Sequence, residues 1–168
     1  MRKIIKTVLA VMAFAAVLPG MTACKEAKGT VISAPVGYVS AKGDAGELPD
    51  TGTIGGYEYS VLKPETRGQG IKKNRGYYID TLEELNSPYL LFISMGEKGS
   101  GGYEINVSDV LVNDQGAMTV VVEETSPSGE EVTGEMTAPY CGVKLKKCPD
   151  DIKVIDIYGN EFRNLTAE

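Results

Sequence analysis

The chain has no histidine and no tryptophan, and only three cysteines and three phenylalanines among its 168 residues. Lacking histidine, it lacks both the commonest general base and the commonest transition-metal ligand, and a Ser-His or Cys-His nucleophile is excluded. The two thiols away from the N-terminal segment, Cys141 and Cys148, do not make a zinc site. Positive charge is also scarce: 17 Lys and Arg stand against 23 Asp and Glu, and the basic clusters Lys72-Lys73-Asn74-Arg75 and Lys144-Leu145-Lys146-Lys147 are short. Nucleic acid is therefore not expected as a partner, because counterion release needs clustered cations, and both clusters read as solvated faces. Nor is there a membrane-spanning run. The apolar stretch at residues 8–18 is eleven residues long, against the roughly 20 that a spanning helix needs.

That stretch has a different use. Arg2, Lys3 and Lys6 precede it and Met21-Thr22-Ala23-Cys24 follows it, in the order of a secretory signal: charged, apolar, then small residues. The last four residues resemble a bacterial lipobox, which implies acylation of Cys24 and cleavage in front of it. The expected organisation is a lipoprotein signal peptide at 1–23, a flexible tether at 24–53 rich in Gly, Ala, Ser, Thr and Pro, and a β domain at 54–168. Localisation is expected to be extracytoplasmic, with the chain held to the lipid bilayer of the bacterial cell membrane through Cys24 and an outer membrane left open. Loss of three basic residues with the signal takes the net charge from −6 to −9.

From about residue 53 apolar and aromatic runs alternate with turn clusters, which predicts a mainly β fold: a small antiparallel meander or sandwich-like domain with one short helix. Strands are expected at 57–62, 76–79, 89–95, 103–112, 117–124, 131–137, 140–147 and 152–158, and residues 36–39 are able to pair as an edge. Thr81-Leu82-Glu83-Glu84 fits a capping box for the helix, with Leu82 and Leu85 on one face. Tyr103, Ile105 and Val107 share one parity but Val110 and Val112 share the other. Because a pleat has period two, that switch predicts a β-bulge near Ser108-Asp109. Cys141 shares parity with Val143 and Leu145 and reads as a small core residue. An extended strand would hold it more than about 20 Å from Cys148, which argues against a disulfide.

Few residues suggest chemistry. Glu123-Glu124 and Glu130-Glu131 lie where strands meet a turn and read as solvated charge. Asp114 and Asp150-Asp151 lack an EF-hand loop. The distinctive segment is Gly96-Glu97-Lys98-Gly99-Ser100-Gly101-Gly102-Tyr103. Its glycines permit positive φ, and a string of amides is able to cradle an anion. No Walker lysine-serine pair or helix follows, so a tight hairpin loop is the favoured reading. No catalytic residue, metal or cofactor is expected.

The same segment carries a resemblance. Met95-Gly96-Glu97-Lys98 followed by Ser100-Gly101-Gly102-Tyr103-Glu104-Ile105 is similar to the G-x-x-x-T-G-G-Y-x-I signature of the PrcB C-terminal family, and Val120-Val121-Val122, Ser126-Pro127-Ser128-Gly129 and Pro139-Tyr140 follow in the family's order. The family is named for a lipoprotein subunit of a bacterial surface protease complex. The resemblance implies a small β domain on an exported protein, support of a partner protease, and no catalytic residues. The expected function is therefore a non-enzymatic, membrane-anchored lipoprotein that binds and stabilises another exported protein, a surface protease being one candidate. Glu97, Lys98, Ser100, Gly101, Gly102 and Tyr103 are the candidate partner-binding loop. An envelope or adhesion module for glycan or matrix is the alternative, and a hydrolase with an unusual site the least favoured reading.

Overall fold

The computed structural model describes residues 31–65, 73–81, 87–128 and 134–166. Within them lie the strands β1 (Tyr38–Ser40), β2 (Thr51–Ile54), β3 (Tyr57–Glu65), β4 (Gly76–Thr81), β5 (Tyr89–Ser94), β6 (Glu104–Asn113), β7 (Met118–Thr125), β8 (Tyr140–Leu145) and β9 (Ile152–Asp156). Sheet I has the order β1-β6-β7-β9 and sheet II the order β2-β3-β8-β5-β4. Every pairing is antiparallel except that of β7 with β9. The protein is mainly β, two sheets packed face to face, with β6 lying over β3 and β8.

Alternation explains which side chains meet between the sheets. Leu91, Ile93, Cys141, Val143 and Leu145 of sheet II are at most 1% exposed, as are Ile105, Val110, Met118, Val120, Val122 and Val154 of sheet I. In β6 the pairing steps from Val107–Val122 to Asp109–Val121, leaving Ser108 as the extra residue. The expected bulge is there, and it lets Ile105 on one side and Val110 and Val112 on the other enter one core. Tyrosine hydroxyls join the layers at two places. Tyr57 donates to Gly116 O at 3.1 Å and Tyr77 to Ile152 O at 3.0 Å.

Three expectations need correction. The connectivity is not a meander: after the β6-β7 hairpin the chain crosses to sheet II as β8, between β3 and β5, and returns as β9 parallel to β7. A parallel neighbour requires such a crossover, and alternation within a strand does not encode which sheet it joins. The expected edge at 36–39 is present as β1, paired with β6, but the tether does not run free to residue 53, because a 3-10 turn occupies Gly43–Ala45 and β2 pairs with β3. Only Thr137 of the expected 131–137 strand makes a bridge, to Lys98, within its described part. The signal peptide, Cys24 and the helix at Leu82 and Leu85 lie outside the described residues. Among the described residues no helix is long and apolar enough to cross a membrane.

Candidate functional site

The segment 96–103 connects β5 of sheet II to β6 of sheet I, so it is a crossing between layers and not the expected hairpin. Two glycines set its path: Gly96 has φ 76° and Gly102 has φ 83°. At Gly96 a side chain is also barred by space, since a Cβ would stand 2.9 Å from Arg75 N and 3.0 Å from Lys73 O. The first three amides of the segment are occupied. Gly96 N donates to Ser94 Oγ at 3.0 Å, Glu97 N to Lys73 O at 3.0 Å, and Lys98 N to Thr137 O at 2.8 Å. Thr137 Oγ1 donates to Ser100 O at 2.8 Å, and Lys98 Nζ lies 5.3 Å from the Tyr103 ring. The candidate loop residues thus come together, but chiefly to hold one another. Gly101 is buried, Lys98, Ser100 and Tyr103 are half-buried, and Glu97 and Gly102 face solvent.

Residues 89–146 match the model of the PrcB C-terminal family. Over this segment the chain is similar to that family. The match runs from the first residue of β5 to just past β8, about a third of the chain, and includes the whole 96–103 crossing. β1 to β4, β9 and the C-terminal residues lie outside the matched segment. No curated protein and no solved structure matches the chain significantly.

Neither described thiol has the character of a nucleophile. Burial, with a smaller contribution from Glu124, drives the Cys141 thiol far up, and burial followed by Asp150 raises Cys148. Both are free. Among the described residues no group of three or more Cys, Asp or Glu is arranged to hold a metal.

One cluster escaped the sequence reading. Arg75, just ahead of β4, forks onto Glu124 of β7 with Nε 3.1 Å from both carboxylate oxygens and Nη2 2.8 Å from Oε2. Its Nη2 is also 3.5 Å from Asp156 Oδ2, and the guanidinium stacks 3.6 Å from the Phe162 ring centroid. By sequence pattern Arg75 belongs to a solvated basic run and Glu124 to solvated charge. The available signal was parity, since Glu124 continues Val120 and Val122 inward and Asp156 continues Val154.

The sheet margins differ in how they are protected. Segment 160–162 backs β9, through Asp156 N to Asn160 O at 2.9 Å and Phe162 N to Val154 O at 2.8 Å, and segment 163–165 backs β4, through Tyr77 N to Arg163 O at 2.9 Å and Leu165 N to Tyr77 O at 2.7 Å. β1 is three residues long. β2 is left open among the described residues. Gly55 and Gly56, with φ 56° and 83°, form the two-residue turn to β3, the primed geometry that such hairpins favour. Such a turn makes Ile54–Tyr57 a hydrogen-bonded pair, hence also Gly52–Tyr59, and Val61 N donating to Asp50 O at 2.7 Å continues the series. The peptide groups of Thr51 and Thr53 therefore point outward. Both residues are exposed, uncharged and β-branched.

Proposed function

We propose that this protein is a non-enzymatic lipoprotein, anchored outside the cytoplasmic membrane through Cys24, whose β domain binds and stabilises another exported protein. The family match supports association with a protease complex, and a protease of the cell surface is the partner class it favours. The observation that carries the reading is the open β2 edge. Thr51 and Thr53 offer two N–H donors and two C=O acceptors at the spacing of a strand, which is how a sheet takes up an extended peptide. Uncovered edges are usually blunted by charge, proline or a covering segment; segments 160–162 and 163–165 cover β9 and β4, and β2 has no such protection among the described residues. The 96–103 crossing serves the fold first, and Glu97 is its contribution to any contact.

Proline at position 53 removes an outward N–H without touching the β3 ladder, a placement that edge strands tolerate. Thr53→Pro should keep the melting transition and lose co-purification of the partner from the native cell. Full co-purification by a folded Thr53→Pro protein would remove the β2 edge from the interface. Retention on a polysaccharide array with no protein co-purifying would instead favour a glycan module.

A further inference from the structure

Part of the outward face of sheet I is buried. Leu111, Thr119 and Val121 alternate with core residues and point away from sheet II, yet they are 2%, 9% and 6% exposed. Residues 31–35 lie over them. Ile32 N donates to Ile157 O at 2.8 Å, and Val31, Ile32 and Ala34 wall a cavity of about 70 Å³ with Leu111, Val121 and Ile157. The chain then turns, Tyr38 N to Pro35 O at 3.1 Å, and enters β1. This strap carries apolar side chains outward. Val31 is 62% exposed, Val36 104% and Tyr158, beside the residue that holds Ile32, 39%. Of the exposed large hydrophobics among the described residues, Met136 and Val39 lie elsewhere, Val39 sharing the inward side of sheet I with its partner Val112.

The strap also fixes the length of the leash. Six residues separate Cys24 from Val31, so the α-carbons of those two residues stand at most about 25 Å apart. A domain of this size has a radius of gyration of roughly 14 Å. The leash leaves from the outer face of sheet I, so that face reaches the surface that holds Cys24 with the least extension, whereas the opposite face reaches it only with the leash near full stretch. We propose that the outer face of sheet I, through Val31, Val36 and Tyr158, lies against the phospholipid bilayer. Sheet II, with the β2 edge, is then presented away from it. This inference rests on the lipid at Cys24 proposed above. Valines and a tyrosine suit that boundary, where an apolar body meets lipid and a phenol reaches water.

The test uses the full-length lipidated protein in phosphatidylethanolamine and phosphatidylglycerol vesicles, in a Cys148→Ser background that leaves only buried Cys141. A fluorophore is placed by Val36→Cys, Tyr158→Cys or, on the outer face of sheet II, Asp80→Cys, and quenching by spin-labelled lipid is read. Quenching at 36 and 158 should exceed that at 80 several-fold. If either variant melts early, Val31→Cys replaces it. Equal quenching at all positions, in protein whose mass shows a lipidated Cys24, overturns the apposed face and leaves the anchor standing. A mass without lipid overturns both.

Discussion

Arg75 and Glu124 clasp the two sheets, the guanidinium of the segment leading into β4 meeting the carboxylate of β7 at 2.8 Å. The carboxylate is 19% exposed and the guanidinium 34%, so the pair is neither solvated nor fully enclosed. Arg75→Ala would strand Glu124 and Asp156 beside each other and uncover Phe162. A fully buried pair costs 3–5 kcal/mol when one partner is removed, and partial exposure lowers the expected loss to about 2 kcal/mol. Urea denaturation of Arg75→Ala and Arg75→Lys measures it, with Lys recovering only part because it lacks the fork and the stacking. A change within error for Arg75→Ala would make the clasp ornamental.

Stability should fall in alkali. Burial raises the Cys141 thiol above its ordinary 9.0, and burial raises Tyr77 and Tyr59 above 10.0. With each folded-state value raised, the unfolded chain loses these protons first. Stability is then fully present below about pH 9 and declines above it, at up to about 1.4 kcal/mol per pH unit for each group. Cys141→Ala should flatten the decline between roughly pH 9 and 10, and denaturation midpoints across that range will show whether it does.

Val143 is fully buried between the sheets. Val143→Ala should cost roughly 1 to 3 kcal/mol, read as a shift in denaturation midpoint at constant slope. An unchanged midpoint would be incompatible with its place in the core.

The crossing loop should respond to backbone more than to side-chain chemistry. Gly102→Ala is expected to cost on the order of 1 kcal/mol for its left-handed φ. Gly96→Ala should cost more, since its Cβ also meets the backbone of Arg75. Tyr103→Phe should be close to neutral, because what the ring contributes is packing against the core and a face for Lys98. Thermal melts of the three variants give the order directly.

Much of the fold is legible in the sequence where alternation is uninterrupted. Ile105, Val107, Val110 and Val112 give both the strand and its bulge, because a change of parity admits few explanations. β1 is legible only as the stretch 36–39 able to pair as an edge, and β2, four residues long, falls almost wholly within the expected tether. The crossing of β8 is hidden for another reason: Val143 and Leu145 look the same whichever sheet they join. The candidate loop is legible through its glycines, which permit positive φ, and Gly96 and Gly102 adopt it. Its hydrogen bonds to Lys73 and Thr137 depend on residues distant in sequence, so its structural role is not. The β2 edge is visible only once β3 is known to have β8 as its other neighbour.

The central claim is that an exported partner pairs with the β2 edge. Its most direct measurement is photo-cross-linking in the native cell from a probe at Thr53, compared with the same probe at Glu97 and at Asp80, followed by mass spectrometry of the adduct. The account predicts one exported protein attached from position 53, weaker or no capture from 97, and none from 80. Capture of that protein from 97 or 80 but not from 53, with the Thr53 probe folded and membrane-bound, would contradict it.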